Sequence, residues 1–396
     1  MASIEIHQEK ARDPESLIAL CPFGAIEYAD GRLSINAGCR MCRICVRKGE
    51  GVFEFVEDNR PSVDKSLWRG IAVYAEVTEG KIHPVSLELI GKARELAARI
   101  GEPVYSVIAG ADIGEPAREL LEYGVDEVFA YDDPALRYFR IEPYAAVLSD
   151  FIETVRPSSI LVGGTTSGRS LAPRVAARFR TGLTADCTRL EISPNSDLDQ
   201  IRPAYGGNIM AHINTPRHRP QFATVRYKIF SIPERENRGG KVTFRRLDPG
   251  KLLSAIDILE LREKPRETGI EEAEVLVAAG RGVKKPEDLA MLSELAGLLG
   301  GRLASTRALV EAGWLDSKHQ IGLSGRTVKP KLLIACGVSG AIQFVAGMNG
   351  AERIVAINSD PDAPIFKVAH IAICQDLYQV VPQLLERIRS RKREEV

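Results

Sequence analysis

The sequence predicts an α/β protein in which two parallel-sheet α/β domains follow a small cysteine-bearing domain. Apolar strand-like stretches alternate with amphipathic helical stretches, a pattern typical of parallel sheets covered by helices. Four of the seven cysteines fall within residues 21–45, before that alternation begins. The length of 396 residues is sufficient for two or three domains of ordinary size.

The composition is that of a globular protein without a dominant charge. The chain has 53 Lys and Arg side chains against 53 Asp and Glu, and 44% of its residues are hydrophobic, which argues against a disordered or polyelectrolyte protein. No apolar run approaches the roughly 18 residues that span a bilayer, and charges interrupt the first 17 residues. We therefore expect neither a membrane span nor a secretory signal, and the clustered cysteines predict metal binding in a reducing cytoplasm.

The first domain is predicted over residues 1–62, because the polar run at 57–61 ends in a proline and precedes an apolar strand pattern. The second domain, residues 63–262, is predicted to be a nucleotide-binding-like parallel sheet with helices. Its predicted strands lie at 71–77, 104–109, 127–131 and 159–163, and its predicted helices lie at 86–100, 116–123 and 143–155.

A charged stretch over residues 257–272 predicts a linker, after which the alternation resumes in a third domain, residues 263–396. Its predicted strands lie at 274–279, 332–337, 353–358 and 370–374, and its predicted helices lie at 286–299, 340–347 and 376–388. The scattered Cys187, Cys336 and Cys374 are expected to be buried small hydrophobic residues.

The cysteine cluster has the spacing of an iron–sulfur site. Cys39, Cys42 and Cys45 form a C-x₂-C-x₂-C triplet, and Cys21 precedes a proline, as in bacterial ferredoxins. Because a second set is missing, the prediction is one [4Fe–4S] cluster in a ferredoxin-like α+β domain. A structural zinc site is the main alternative, although zinc ligands usually come as two C-x₂-C pairs, and inert thiols are a third.

Two predicted strands run into glycine turns, at Gly280-Arg281-Gly282 and at residues 337–340, and such turns suit a phosphate or a flavin carbonyl. The second turn lacks the full G-x-S-x-G pattern, which argues against a serine hydrolase. The order of motifs is more specific, and it closely resembles the FAD domain of the electron-transferring flavoprotein alpha subunit. The motifs lie at 280–282, 305–310, 321–325, 337–343, 346–348, 355–366 and 376–377, and further ones lie upstream at 168–177, 181–188 and 204–210.

The resemblance covers about residues 70–390 and implies that the third domain binds FAD. Arg307 is implied to lie against the isoalloxazine ring, where a guanidinium raises the flavin potential, and Ser324 near N5 of the ring. Asn358 and Asp376 suit the polar ADP half, although Asn358 could instead start a turn and Asp376 could instead cap a helix. The implied FAD residues are Arg281, Thr306, Arg307, Ile321, Gly322, Leu323, Ser324, Ser339, Gly340, Ala341, Ile342, Gln343, Phe344, Asn358, Asp376 and Leu377.

Two positions depart from the family pattern. Many relatives have histidine where this chain has Phe344, and glutamine where it has Leu323. The loss of two polar groups near the ring is expected to alter the redox behaviour of the flavin.

The resemblance also implies partners. Members pair with a beta subunit and pass electrons between dehydrogenases, and alpha subunits with a ferredoxin-like N-terminus resemble those of electron-bifurcating caffeyl-CoA reductase and lactate dehydrogenase complexes. The expected partners are the beta subunit with a second FAD and an NADH site, ferredoxin, and a flavin-dependent acyl-CoA or 2-hydroxy acid dehydrogenase. The alternatives are a non-bifurcating flavoprotein with a structural or vestigial cluster, and a non-redox adenine-nucleotide-binding protein.

Residues 217–246 carry nine Lys or Arg and two acids. Three prolines interrupt this stretch and no RNA- or DNA-binding motif accompanies it, so nucleic-acid binding is disfavoured. A partner-binding or solvated loop is the prediction.

Overall fold

The computed structural model describes residues 3–36, 38–56, 63–204, 209–262 and 269–394. The polar run at 57–61, the motif residues 205–208 and the middle of the predicted linker, 263–268, lie outside the described residues. Packing divides the chain into two compact units, Met1–Ser62 and Val63–Val396.

The first unit is a small α+β fold. Strands β1 and β4 pair antiparallel, β2 and β3 form an antiparallel hairpin, and Asp13 caps the first helix by accepting a hydrogen bond from the Ser16 amide. Leu17, Phe53 and Cys45 are buried together in its core. The elements are β1 (Ser3–Ile6), α1 (Pro14–Ala19), β2 (Ile26–Ala29), β3 (Arg32–Ile35), α2 (Ile44–Lys48) and β4 (Phe53–Val56).

The second unit begins with a seven-stranded sheet in which all pairs are parallel. Its strands are β5 (Ile71–Ala75), β8 (Val104–Gly110), β9 (Glu127–Asp132), β10 (Ser159–Gly163), β11 (Leu183–Cys187), β15 (Gln221–Val225) and β16 (Lys241–Arg245), in the order β11-β15-β10-β5-β8-β9-β16. Two antiparallel additions accompany it, a hairpin of β6 (Val77–Thr78) and β7 (Lys81–Ile82) and a sheet of β12 (Arg189–Ile192), β13 (Leu198–Ala204) and β14 (Ile209–Ile213).

Helices cover both faces of this sheet. Ile71 and Val73 of β5 pack into one core with α3 and α4, whereas the alternating Ala72 and Tyr74 pack into the other core with α5 and α6. Successive strand side chains point to opposite faces, so β5 is buried on both. The helices are α3 (Pro84–Ile100), α4 (Gly114–Leu121), α5 (Ile141–Val155) and α6 (Thr166–Arg178).

A second parallel sheet follows, with five strands in the order β18-β17-β19-β20-β21. The first strand along the chain is flanked by the second and the third, so the direction of winding reverses between β17 and β19. The elements are β17 (Val275–Ala279), α7 (Leu289–Leu298), β18 (Arg302–Ser305), α8 (Arg307–Glu311), β19 (Leu332–Cys336), α9 (Ile342–Met348), β20 (Arg353–Asn358), β21 (Ile371–Cys374) and α10 (Leu377–Glu394).

The parallel-sheet α/β prediction is confirmed for both sheets, and each strand and helix predicted within them is present. Among the described residues, no helix is long and apolar enough to cross a membrane. The expectation that Cys374 is buried is wrong, because it lies on the edge strand β21 and is exposed, whereas Cys187 and Cys336 are buried.

The prediction of a loop over residues 217–246 is also wrong, because the stretch contributes β15 and β16 to the first sheet. Acidic neighbours pair with its cations: Arg219 lies 2.7 Å from Asp197, and Arg245 lies 3.1 Å from Asp150. Much of the local excess of positive charge is thus paired with acidic side chains within the fold.

Candidate functional site

A cavity of about 540 Å³ opens at the carboxyl ends of four strands of the second sheet. In open parallel sheets, ligands bind outside the carboxyl ends of the strands, where the direction of winding reverses. That point lies between β17 and β19 here. The lining residues are Arg281, Gly282, Thr306, Arg307, Ala308, Ile321, Gly322, Leu323, Ser324, Gly337, Val338, Ser339, Ala341, Gln343, Phe344, Asn358 and Asp360.

Two glycine turns form the floor of this cavity. Gly282 donates its amide to the carbonyl of Gly337 at 2.9 Å, and a Cβ on Gly337 would lie 2.7 Å from the Cα of Gly282. Gly337 also has a φ of +61°, which side-chain-bearing residues rarely adopt. Asn358 donates its Nδ2 to the carbonyl of Val338 at 2.8 Å. The two turns can therefore pack this closely only because both positions are glycine, and no side chain from either position fills the cavity at the strand ends.

The polar groups of the cavity are suited to a cofactor with phosphates and a hydrogen-bonding ring. The hydroxyl of Thr306 is buried without a hydrogen-bond partner, which in a native fold calls for a ligand or water. Arg281 and Arg307 bring guanidinium groups to the lining. The Arg307 side chain is 66% exposed and its Nε lies 2.8 Å from a Glu311 carboxylate oxygen one turn along α8.

The 321–325 turn closes another side of the cavity. Leu323 donates its amide to the carbonyl of Gln343 at 2.9 Å, and the Ser324 hydroxyl accepts a hydrogen bond from Gln320 Nε2, also at 2.9 Å. Phe344 is buried in the core beneath. Leu323 and Phe344 therefore present an apolar wall to the cavity.

The four clustered cysteines line a second, small pocket in the first unit. Cys21 follows α1, Cys39 follows the β2–β3 hairpin, and Cys45 lies in the first turn of α2. Between them, Met41 and Arg43 have φ values of +52° and +60°. Such left-handed conformations are costly for these residues and are found where a loop is held around a ligand.

The surroundings of this pocket shift the pKa values of its thiols in opposite directions. The amide of Ala25 donates to Cys21 Sγ at 3.2 Å, and this hydrogen bond lowers the pKa of Cys21. Burial raises the pKa of Cys45, with further contributions from the nearby Cys39 and Cys42. Among the described residues, no group of three or more His, Cys, Asp or Glu is arranged to hold a single metal ion.

Sequence comparisons decide the family. The electron transfer flavoprotein domain matches residues 71–250, and the electron transfer flavoprotein FAD-binding domain matches residues 269–349. The electron transfer flavoprotein subunit alpha of Thermoanaerobacterium thermosaccharolyticum is 43% identical, over 83% of this chain and 99% of its own length. The chain belongs to the electron transfer flavoprotein alpha subunit family.

Two further relatives differ in how much of this chain they match. The lactate dehydrogenase (NAD(+),ferredoxin) subunit LctC of Acetobacterium woodii is 57% identical, over 98% of this chain and 94% of its own length. Protein FixB of Azorhizobium caulinodans is 39% identical, over 83% of this chain and 89% of its own length. Among these three relatives, only LctC matches nearly the whole chain.

The structure brings twelve of the sixteen predicted FAD residues into the cavity of this electron transfer flavoprotein alpha subunit. The other four, Gly340, Ile342, Asp376 and Leu377, do not line it. Asp376 accepts a hydrogen bond from the Tyr378 amide at 3.0 Å, as a cap at the start of α10, and Leu377 is buried beneath Gly337. Their contact with FAD stays a prediction.

Sequence reasoning missed five residues of the lining. Gly282, Gly337 and Val338 lie in the glycine turns that the sequence pointed to, and Ala308 follows Arg307 directly, so the neighbouring motif residues were the available signal. Asp360 lies two residues beyond Asn358, whose Oδ1 accepts the Asp360 amide at 3.0 Å. No local pattern distinguishes Asp360 from the acids around it.

Proposed function

We propose that this alpha subunit relays electrons through FAD and one [4Fe–4S] cluster between a beta subunit, ferredoxin and a flavin-dependent dehydrogenase, in a cytoplasmic electron-bifurcating complex. The observation that carries this proposal is the convergence of all four clustered cysteines on one pocket. The chain also resembles LctC over nearly its whole length, whereas the alpha subunit of T. thermosaccharolyticum lacks about a sixth of it.

The cysteine set supports a cubane rather than zinc. Three cysteines at two-residue gaps with a remote Cys-Pro fit a cubane better than zinc, whose structural sites usually take two C-x₂-C pairs. Cys21, Cys39, Cys42 and Cys45 would hold the cluster, and the Ala25 amide that donates to Cys21 Sγ would tune its potential.

The cavity residues support FAD as the second centre. When bound, FAD exchanges electrons singly or in pairs and so connects one-electron carriers with two-electron carriers. The residues around it bind and orient it: the orphaned Thr306 hydroxyl is available to a ligand oxygen, Arg307 supplies positive charge, and Leu323 and Phe344 exclude water from one wall.

Basic side chains border the cysteine pocket. The guanidinium of Arg40 lies 4.7 Å from the ring centre of Phe23, and that of Arg43 lies 3.6 Å from the ring centre of Phe55. Stacking on an aromatic ring holds a guanidinium at the surface with little loss of charge. These cations favour an acidic one-electron carrier such as ferredoxin, and the similarity to a lactate dehydrogenase (NAD(+),ferredoxin) subunit favours NAD(+) and a lactate-type 2-hydroxy acid on partner subunits.

Anaerobic purification of the intact complex followed by coupled assays tests this function. We expect reduction of ferredoxin and oxidation of NADH to depend on each other and on a flavin-dependent dehydrogenase substrate. Cys42→Ala should remove the ferredoxin-linked reaction while FAD stays bound. Full electron transfer between NADH and the dehydrogenase without any role for ferredoxin would instead identify a non-bifurcating flavoprotein with a structural cluster.

A further inference from the structure

A second cavity, of about 460 Å³, shares Ser324 with the 540 Å³ cavity described above. The 540 Å³ cavity, as the candidate site for FAD, is called the FAD cavity below. Its lining combines the 324–327 segment with residues that follow β10 and β15 of the first sheet. Winding of that sheet reverses between β5 and β10, so its carboxyl edge also carries a crevice. Side chains that follow strands of the first sheet therefore lie next to the 321–325 turn of the second sheet.

Arg226 is the side chain that reaches across. It follows β15, whose five residues are all buried, and the Gly164 amide donates to the carbonyl of the preceding Val225 at 2.6 Å. Its Nη2 donates to Asp186 at 2.7 Å and its Nη1 donates to the carbonyl of Gly325 at 3.4 Å. The Nε is buried without a partner. The backbone at Arg226 is thus held by the first sheet, and its guanidinium contacts the 321–325 turn of the second sheet.

The partner of Arg226 is a turn with little freedom. Gly325 donates its amide to the carbonyl of Gly322 at 3.0 Å, and Arg326 donates to the carbonyl of Gln320 at 2.7 Å. A Cβ on Gly325 would lie 2.3 Å from the Gln320 carbonyl oxygen. A displacement of Gly325 must therefore move its neighbours, of which Ser324 lines both cavities.

Asp186 holds Arg226 together with a second arginine. Arg169 of α6 donates to the other oxygen of the same carboxylate at 2.9 Å. Burial alone would raise the pKa of Asp186, but the hydrogen bonds and charges of Arg226 and Arg169 lower it overall. Both arginines line the second cavity, yet of these two only Arg226 has a hydrogen bond to Gly325. Arg169 is therefore a matched control for Arg226.

We infer that Arg226 is a positioning residue for the flavin, which acts by holding the Gly325 carbonyl and with it the 322–325 turn. The inference rests on FAD occupying the cavity described above, and it is independent of the cluster and of bifurcation. It predicts that removal of the Arg226 hydrogen bond loosens FAD and changes its surroundings, even though Arg226 belongs to the first sheet.

Variants of the full chain, purified with its partner subunits, test this inference. After removal of FAD, titration with FAD should give a Kd about threefold higher for Arg226→Gln than for the wild type, the effect of one lost long hydrogen bond. The visible circular dichroism of bound FAD and its midpoint potential should also change. Arg169→Gln should leave all three properties near wild type. Arg226→Lys should behave like Arg226→Gln, because an ammonium cannot bridge Asp186 and Gly325 with a planar fork.

Two results would overturn the inference. One is an Arg226→Gln protein with unchanged Kd, dichroism and potential. The other is equal shifts in Arg226→Gln and Arg169→Gln with full recovery in Arg226→Lys, which would indicate charge acting through space. If Arg226→Gln fails to fold by far-ultraviolet circular dichroism, the lysine variant alone decides. A wild-type chain that binds no FAD would contradict the cavity assignment itself, a failure distinct from that of Arg226.

Discussion

Arg307 illustrates how one side chain can serve two roles at once. It lines the FAD cavity, and it also forms an ion pair with Glu311 on the exposed side of α8. An exposed pair of this kind contributes little to stability. The guanidinium is therefore free to take a ligand without loss of the fold.

Arg307→Ala is expected to lower the FAD midpoint potential, because a cation close to the ring stabilises the negative charge gained on reduction. Arg307→Lys should restore part of the potential, since it keeps the charge but lacks the planar group. Glu311→Gln is the matched control, because it breaks the same ion pair without removing a cavity residue. A redox titration in which Arg307→Ala binds FAD fully at an unchanged potential would exclude Arg307 from the site.

The buried carboxyl group of Glu88 is expected to make the stability of the protein depend on pH. It is 3% exposed and accepts the Lys228 amide at 3.0 Å, and burial raises its pKa from 4.5 to about 7. Between these values the folded state keeps a proton that the unfolded state releases, so stability falls as pH rises through this window. Across this pH window the free energy of unfolding is expected to decrease by on the order of 3 kcal/mol.

Denaturant unfolding of Glu88→Gln at pH 4, 6 and 8 checks this expectation. The variant should lose most of the decline between pH 4 and pH 8, whereas the exposed Glu153→Gln on α5 should keep it. An unchanged decline in Glu88→Gln would mean that another group titrates.

At the scale of elements, the glycine turn after β19 decides whether the FAD cavity can form. Gly337→Ala combines two costs: about 1–2 kcal/mol for a side chain at positive φ and roughly 1–3 kcal/mol for crowding against Gly282. Gly313→Ala is the matched control, because Gly313 has a φ of +73° but no atom within 4 Å of its would-be Cβ. We expect both variants to lose stability, and only Gly337→Ala to lose FAD, as measured by thermal unfolding and flavin content. Full FAD content in Gly337→Ala would contradict the packing of the two turns.

Most of the strands that the sequence predicts are buried on both faces, although β15, which is also fully buried, lies outside the predicted strands. The continuous apolar runs of β5, β10 and β19 have no plausible alternative to a central strand, and glycines at their carboxyl ends pointed to the cavity. By contrast, the edge strand β16 was missed, because its alternating polar and apolar residues span only five positions within a stretch rich in Lys and Arg. The contact of Arg226 with Gly325 was also missed, because it joins residues 99 positions apart, and no local pattern encodes such a contact.

At the scale of the whole molecule, the division into two units predicts separable cofactors. A chain that begins at Val63, produced together with the beta subunit, should keep this subunit's FAD and lose the cluster, because the cavity lies entirely within Val63–Val396 and the cysteine pocket within Met1–Ser62. Flavin and iron content of the folded truncated complex measure the two outcomes. Loss of this FAD from a folded complex would contradict the division of roles between the units.

Cofactor analysis of the anaerobically purified chain tests whether this alpha subunit carries electrons through two centres. Iron, acid-labile sulfide, zinc and FAD should be measured on one sample. We expect about four irons and about four sulfides per chain, with one FAD for the cavity and no stoichiometric zinc. Stoichiometric zinc without acid-labile sulfide would contradict it.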